Sequence, residues 1–461
     1  MTGPDQLEGQ LAAALSATLG EVEIRSLQRL TCGASRETWS FDAVDAGGGV
    51  HELVLRRDPP ARPGPRGSMS LEASVIRLAG AAGVPVPEVL VDTDDPEVWG
   101  AAGMVMRRVD GEALGKRILR SDLLVDARAR FVRQCGAALA ALHSVDPDAL
   151  QGAPEFDPLD AMRALLDDLG EPVPTFEYAL RWLDEHRPAG SGRAIVHGDF
   201  RLGNLLVAPA GVTAVLDWEL VHIGDPLEDL GWLCVRSWRF GADLPVAGMG
   251  TREDLLDAYV AAGGPPATPE ALRWWEAYGT LRWGIICLTQ TAVHLRGDLR
   301  SVELAAIGRR VAETEWDLLL LLAPDAAAVA ADLASQSAAA AQDRVAPPAP
   351  GLHGRPTAAE LVEAVQEFLT GQVVGQTEGA LSYHARVAAN VLVPVGRGLG
   401  AGEVTLQRRA LALARLGVRD ERELCTAIRV GDLDDRDRAV RDVLAEGVVD
   451  RVSVANPSHL R

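Results

Sequence analysis

The sequence predicts an α+β fold: a small antiparallel β-sheet, then a mainly helical region, then a separate small all-α domain. Strand-like apolar runs bounded by Gly and Pro dominate residues 1–108, and helical periodicity dominates residues 109–323. Residues 324–356 are rich in Ala and Pro, which is typical of a linker, and helical periodicity resumes over 357–461. We therefore predict four segments with these boundaries.

The N-terminal segment has the elements of a sheet with one inserted helix. Residues 7–19 have helical spacing, and a second helix is expected from about Ser70, after the third strand. Strand-like runs occupy residues 24–44 (two short strands around a turn), 50–57, 84–91 and 101–108.

The remaining segments are predicted to be mainly helical. Residues 126–143 have apolar positions at i, i+3 and i+4 spacing, and residues 268–322 continue the helical pattern. The aliphatic run at 318–323 is too short to span a bilayer and is interpreted as the buried end of a helix. TAAE at 357–360 is a capping-box pattern, which begins the C-terminal helices.

Composition narrows the classes of partner. The 461 residues carry a formal net charge of −20, which argues against nucleic-acid or anionic-membrane binding, since both need a basic face. The five cysteines form no CxxC pair, and the N-terminus has no signal-peptide pattern. We expect a cytoplasmic protein that binds neither nucleic acid nor membrane.

One stretch, VHGDFRLGNLLVAPAGVTAVLDWE at 196–219, places polar side chains in apolar surroundings. Asp199 and Asn204 are five residues apart in a Gly-containing loop, and a strand delivers Asp217 eighteen residues after Asp199. Converging oxygen ligands suit Mg²⁺, and a further carboxylate could accept a proton from an attacking hydroxyl. The structural alternative is a buried turn whose carboxylates are satisfied by hydrogen bonds.

HGDFRLGN…LDWE, together with GDPLEDL, resembles the aminoglycoside phosphotransferase-like small-molecule kinases, a family that includes choline kinase-type enzymes. The resemblance covers roughly residues 20–320 and implies a bilobal protein-kinase-like fold, with ATP as phosphoryl donor, GTP as an alternative, and Mg²⁺. By position, it assigns Asp199 as catalytic base and Asn204 and Asp217 as Mg²⁺ ligands.

The resemblance also assigns three residues to structural support of the catalytic loop. His197 is expected to hold the loop by hydrogen bonds rather than to transfer protons. Asp225 is expected to form an Asx turn before Pro226, and Asp229 to brace the loop.

The nucleotide should lie under the N-terminal sheet. Gly33 and Ser35, in LTCGASRETWSF, are expected at the phosphates, and Val54 is expected to roof the adenine. Arg56 stands where most kinases carry a phosphate-binding Lys, and Glu72 is its expected partner. A surface Arg on an edge strand and a solvated helix charge are the alternatives for Arg56 and Glu72.

MVMRRVDG at 104–111 is expected to be the hinge between the lobes. Backbone groups from Met106 to Arg108 would pair with the adenine edge, and an ordinary strand end is the alternative.

The segments VLRRDPP, TCGASRETWSF and VMRRVDGEAL resemble one subgroup, the kinase domains that occur near or fused to acyl-CoA dehydrogenases, where Arg is the usual residue in place of Lys. A helical stretch beyond residue 268 offers cations beside aromatic residues instead of clustered carboxylates: Arg273, Arg282, Arg296 and Arg300. The acceptor is therefore expected to be the hydroxyl of a small molecule, with a hydroxyacyl or CoA-type metabolite favoured. A nucleotide-binding pseudokinase that acts as a scaffold and an antibiotic kinase of the aminoglycoside type are the alternatives.

Residues 357–461 resemble an uncharacterised helical domain and carry no identifiable chemistry. An accessory module that docks a protein partner or forms a homodimer is expected.

Overall fold

The computed structural model describes residues 4–30, 36–59, 68–332 and 355–460. Packing divides the chain into two compact units. The first comprises Met1–Phe156 and Pro188–Glu276, and the second comprises Asp157–Arg187 and Ala277–Arg461.

The described residues form three antiparallel sheets, all in the first unit. A five-stranded sheet has the order β1-β2-β3-β5-β4, and two small sheets pair β6 with β9 and β7 with β8. The strands are β1 (Val22–Leu30), β2 (Glu37–Asp45), β3 (Val50–Arg57), β4 (Val89–Thr93), β5 (Gly103–Arg107), β6 (Ala194–Val196), β7 (Leu205–Ala208), β8 (Gly211–Val215) and β9 (His222–Gly224).

Helices make up most of the rest, and α10 runs from the first unit into the second. The helices are α1 (Pro4–Leu19), α2 (Met69–Ala81), α3 (Pro96–Trp99), α4 (Gly115–Arg120), α5 (Val125–His143), α6 (Pro158–Leu169), α7 (Pro174–Glu185), α8 (Leu227–Cys234), α9 (Arg252–Ala261), α10 (Pro269–Arg296), α11 (Val302–Ile307), α12 (Val311–Leu322), α13 (324–332, as far as it is described), α14 (Ala358–Phe368), α15 (Val374–Gln376), α16 (Gly379–Arg415), α17 (Glu421–Val430) and α18 (Asp437–Ala455).

Helix α1 covers one face of the five-stranded sheet. Leu7, Leu11 and Leu15 follow four-residue spacing, so they share one face of the helix, and all three are buried. They belong to the same apolar cluster as Phe41 of β2 and Leu53 of β3. This packing leaves the opposite face of the sheet to helix α2 and the cavity described below.

The predicted α+β class, with an N-terminal antiparallel sheet and a mainly helical remainder, is confirmed. The strand predicted at 84–91 instead begins at Val89, because Pro85 and Pro87 lack the N–H that a strand interior needs. The helical pattern predicted over 268–322 is interrupted after Arg296, where Gly297 adopts a positive φ of 88°.

The described residues of the second unit form helices and no strands. Its hydrophobic core joins Trp316 and Leu319 of α12 to Leu424 of α17 and Leu444 of α18. The helices beyond residue 357 therefore share a unit with α7 and α12, whereas the sequence boundaries at 108, 323 and 356 stay predictions. Across the described ranges, every helix is either too short or too polar to cross a bilayer.

Candidate functional site

A tight loop between β6 and β7 brings Asp199 and Asn204 together. Gly198 has a φ of +79°, and a Cβ atom there would lie 2.4 Å from the carbonyl oxygen of Leu220, so the turn requires glycine. Asn204 Nδ2 donates hydrogen bonds to Asp199 Oδ2 at 2.6 Å and to the Asp199 carbonyl at 3.0 Å. The predicted pair is therefore in direct contact.

Two further donors fix the Asp199 carboxylate. Trp232 Nε1 and Arg201 Nε both donate to Asp199 Oδ1, at 2.9 and 2.8 Å. The Arg201 guanidinium stacks on Trp238 at 4.6 Å, and a Cβ atom on Gly203 would lie 2.7 Å from Arg201 Nη1. Arg201 is thus held in place by a ring on one side and a glycine on the other.

Sequence reasoning missed both of these donors. Arg201 could have been found, because a cation two residues after the candidate base is a local signal. Trp232 lies on α8, 33 residues away, and only the packing of that helix brings it to Asp199.

Asp217 lies in a turn that is tied to the same loop. The N–H of Leu216 donates to the Asn204 carbonyl at 2.8 Å, and His197 Nε2 donates to the Leu216 carbonyl at 3.1 Å. Asp217 itself has a φ of +69°, a conformation that Asp tolerates better than most residues and that is frequent at functional sites. The loops that carry Asn204 and Asp217 are therefore adjacent and mutually fixed.

His197 is buried and has the loop-holding geometry that the sequence predicted. Its Nδ1 accepts the N–H of Asp199 at 3.1 Å while its Nε2 donates to Leu216, so both ring nitrogens are used by the neutral imidazole. Burial lowers the pKa of His197, which favours that neutral form.

Arg56 on β3 forms an ion pair with Asp217. Glu219 and Glu72 lie farther from the guanidinium, at 3.8 and 3.7 Å. Burial alone would raise the pKa of Asp217, but the adjacent Arg56 charge and hydrogen bond hold it below its ordinary value. Arg56 therefore lies closer to Asp217, the predicted metal ligand, than to Glu72, its predicted partner.

The closest cation to Glu72 is Arg36, which sequence reasoning missed. Arg36 pairs with the Glu72 carboxylate and with Asp58 at 3.0 Å, and both Arg36 and Glu72 are buried. Burial raises the pKa of Glu72, against the opposing charges of Arg36 and Arg56. Arg36 comes two residues before Thr38, which pairs with Arg56 across β2 and β3, so strand alternation could have placed Arg36 on the cavity side but could not have named its partner.

Asp229 on α8 accepts the N–H groups of His197 at 2.8 Å and Gly198 at 2.9 Å. His143 lies 3.2 Å from the same carboxylate and 2.8 Å from the hydroxyl of Tyr259. Burial would raise the pKa of Asp229, but the His143 hydrogen bond and charge hold it below its usual value. Asp229 is thus the buried acceptor on which the loop backbone rests.

Asp225 accepts the N–H of Leu227 at 2.9 Å, which is the Asx turn expected around Pro226, and the N–H of Ser191 at 2.7 Å. Burial raises the pKa of Asp225.

A cavity of about 510 Å³ in the first unit is lined by Asn204, Asp217 and Arg56, whereas Asp199 is not among its lining residues. Six of the predicted residues line it: Val54, Arg56, Met106, Arg108, Asn204 and Asp217. Apolar side chains complete the wall, among them Leu30, Ile76, Pro87, Leu206 and Val215. The cavity wall thus combines apolar and charged side chains. Gly33 and Ser35 lie outside the described residues.

Arg108 also lines the cavity, but the hinge N–H groups are partly engaged. Arg108 donates its N–H to the Glu52 carbonyl, and Arg107 donates its own to the Glu88 carbonyl, both at 2.9 Å. The N–H groups of Arg107 and Arg108 are therefore engaged within the protein.

The arginines expected near the acceptor are partly engaged elsewhere. Arg282 is buried, and Arg296 lies 3.8 Å from Asp168 in the second unit.

The side-chain oxygens of Asn204 and Asp217 fit Mg²⁺ better than a metal ion whose ligands all come from the protein. Within the described ranges, no three His, Cys, Asp or Glu side chains group together as a metal site. Asn204 commits its NH₂ group to Asp199, so its Oδ1 is the atom left for a cation, and Asp217 lines the same cavity. One carboxylate and one amide oxygen suit Mg²⁺ whose remaining ligands are phosphate oxygens and water.

Two family models match the chain. The phosphotransferase enzyme family (APH) matches residues 26–275, and a domain of unknown function (DUF6285) matches residues 375–459.

Curated relatives extend the similarity. Acyl-CoA dehydrogenase family member 10 of Mus musculus is 27% identical over 346 residues, covering 68% of this chain and 31% of the mouse protein. Acyl-CoA dehydrogenase family member 11 of Gallus gallus is 31% identical over 242 residues, covering 49% of this chain and 30% of the chicken protein. The chain spans about a third of the length of these relatives. The resemblance to kinase domains associated with acyl-CoA dehydrogenases is confirmed.

Among solved structures, a protein of Ralstonia eutropha JMP134 assigned as an aminoglycoside phosphotransferase has the same fold. It superposes with a TM-score of 0.55 at 23% identity, over 69% of this chain and 98% of that one. The bilobal kinase-like fold is therefore confirmed. Because the family model matches more than half of the sequence, this chain belongs to the phosphotransferase enzyme family.

Proposed function

We propose that this chain is an ATP- and Mg²⁺-dependent phosphotransferase whose acceptor is the hydroxyl of a small molecule. The supporting observation is the 2.6 Å contact of Asn204 with Asp199 on a loop bonded to the turn of Asp217, beside a cavity of about 510 Å³. A buried structural turn needs neither that cavity nor a cation such as Arg56 opposite its carboxylate.

Asp199 orients the acceptor and takes its proton. Oδ1 accepts from Trp232 and Arg201, and Oδ2 accepts from Asn204, which leaves one lone-pair direction on Oδ2. A substrate O–H donates there. As the hydroxyl oxygen forms its bond to the γ-phosphorus, the bond to the ADP oxygen breaks and the proton passes to Asp199.

Asn204 Oδ1 and the Asp217 carboxylate would hold Mg²⁺, which when bound neutralises charge on the phosphate oxygens. Arg56 provides a guanidinium in the same cavity, paired with Asp217, where it can bind a phosphate oxygen once Asp217 has another partner. Glu72, already neutralised by Arg36, keeps that guanidinium nearby at 3.7 Å. Val54 and Met106 supply the apolar wall for the base.

For the acceptor, we propose a hydroxyacyl or CoA-type metabolite. The support is the similarity to proteins named as acyl-CoA dehydrogenase family members, at 27% and 31% identity.

The test is incubation with ATP and Mg²⁺ plus panels of hydroxyacyl-CoA esters, free hydroxy acids and aminoglycosides, with mass spectrometry of the products. A phosphorylated hydroxyacyl product that forms about 10²–10⁴-fold more slowly with Asp199→Asn supports the proposal. Asp92→Asn, which breaks a surface pair with Arg77, is the matched control and should leave the rate unchanged. Equal rates for wild type and Asp199→Asn would refute the role of Asp199, and an aminoglycoside product would refute the acceptor.

A nucleotide-binding pseudokinase is the second candidate. The ion pair between Arg56 and Asp217 favours it, because one of the two metal ligands is engaged by the protein. Tight binding of ATP with no transfer to any acceptor would support this reading.

A further inference from the structure

Helices α7 and α12 of the second unit carry buried carboxylates. Glu177, Glu315 and Asp317 are 3%, 1% and 3% exposed. An ionised carboxylate buried at this depth is strongly unfavourable unless a cation or several hydrogen-bond donors reach it. These helices therefore need partners at each of the three acids.

The C-terminal residues provide most of those partners, and Arg163 of α6 also lies 3.4 Å from Glu177. Arg451 of α18 donates to both oxygens of Glu315, with Nε at 2.8 Å from Oε2. Arg429 of α17 donates to Glu177 at 3.1 Å.

Two more contacts extend this interface beyond the guanidinium pairs. His459 Nε2 lies 2.8 Å from Asp317 Oδ1, and Asn456 Nδ2 donates to Glu313 at 2.9 Å. In the opposite direction, Arg181 of α7 donates to the carbonyl of Ile428 at 2.9 Å.

Apolar side chains of α12 are buried against the same C-terminal helices. Trp316 and Leu319 of α12 lie in one cluster with a set of aliphatic side chains from the C-terminal helices: Leu413, Leu416, Leu424, Ile428, Val440, Val443, Leu444, Val448 and Val452. Trp316 and Leu319 are 2% and 1% exposed. Helix α12 lies between the two family-matched ranges, 26–275 and 375–459, and packs on the second.

We propose that residues 375–459, the domain of unknown function, act as an intramolecular folding partner that covers acidic and apolar side chains of α7 and α12. This domain binds a surface of its own chain. Its arginines form ion pairs with the buried carboxylates of that surface, and its aliphatic side chains pack on the apolar residues of α12. The proposal does not depend on the phosphotransferase reaction.

The test is proteolytic cleavage of the folded protein between the two segments. A site-specific protease sequence is inserted between residues 332 and 355, and the full-length protein is cleaved after purification. The two fragments should co-elute from size exclusion in equal amounts at micromolar concentration. Two separate peaks would overturn the proposal.

A matched pair of substitutions probes the recognition. Arg451→Met strands the buried Glu315, whereas Arg408→Met breaks a pair with Asp450 that lies within the C-terminal domain and is partly exposed. Arg451→Met should raise the dissociation constant of the fragments about 10²-fold or more, and Arg408→Met less than about fivefold. Equal effects of the two substitutions would contradict the proposal.

If the cleaved protein precipitates, hydrogen exchange of the uncleaved variants tests whether the C-terminal domain protects α12. Amides of α12 should exchange about 10²-fold faster in Arg451→Met than in Arg408→Met. Unchanged exchange in α12 would overturn the proposal.

Discussion

Asp229→Asn is the sharpest test of how the catalytic loop is supported. The carboxylate is fully buried and accepts from two backbone N–H groups, those of His197 and Gly198, and from His143. In the variant, an NH₂ group replaces one of the two oxygens. In either orientation at least one backbone N–H then faces another donor.

The magnitude follows from those contacts. A hydrogen bond to a charged acceptor contributes about 1.5–3 kcal/mol, and an unsatisfied buried donor costs about 1–3 kcal/mol. Asp229→Asn should therefore lower the free energy of unfolding by about 3–5 kcal/mol near neutral pH.

The pH dependence has a definite sign. Because the pKa of Asp229 is lowered in the folded protein, its contribution to stability is present above the unfolded value of about 3.9 and is lost as pH falls through the folded pKa. The difference between wild type and Asp229→Asn should therefore shrink on acidification. Asp225→Asn is the matched control. Because burial raises the pKa of Asp225, the contribution of this group to the free energy of unfolding is lost as pH rises, which is the opposite direction.

Urea denaturation followed by tryptophan fluorescence, from about pH 7 down to about pH 3, measures both effects. A loss below about 1 kcal/mol, or a difference from wild type that stays constant with pH, would refute this account of the loop.

Three further substitutions test the site and its packing. Arg201→Gln should lower kcat about 10–100-fold with little change in the KM for ATP, because Arg201 acts through Asp199, and Arg201→Lys should recover part of the rate. Steady-state kinetics measures both parameters, and a change confined to KM would contradict this role. Arg56→Met should weaken binding of Mg²⁺–ATP about tenfold or more by calorimetry through loss of a charge-assisted contact, and unchanged affinity would exclude Arg56 from the phosphate site. Gly231→Ala should lower the free energy of unfolding by about 2–3 kcal/mol in urea, because the added Cβ would lie 2.5 Å from the backbone and Cβ of Trp275; an unchanged midpoint would contradict this packing.

Local spacing was sufficient to predict that the segments carrying Asp199, Asn204 and Asp217 lie close together. Asp199 and Asn204 share one loop, and Asp217 follows the next hairpin, so their proximity depends on a short stretch of chain. The alternation of β3 likewise placed Val54 and Arg56 on the cavity side. Gly33 and Ser35 stay predictions.

Contacts between distant segments could not be predicted in this way. The pairing of Arg36 with Glu72 depends on how α2 packs on the sheet, and the hydrogen bond from Trp232 to Asp199 depends on where α8 docks. Helical periodicity shows that α18 has a buried face but not which helix covers it, so Arg451 could not be matched to Glu315.

The central claim is that Asn204 and Asp217 hold a divalent cation beside a nucleotide while Asp199 serves the acceptor. Paramagnetic resonance of Mn²⁺ titrated into the protein with a non-hydrolysable ATP analogue tests it most directly. Wild type and Asp199→Asn should bind Mn²⁺ with nearly equal affinity, whereas Asp217→Asn should bind it about 10²-fold more weakly. Undiminished Mn²⁺ binding by Asp217→Asn would contradict the account.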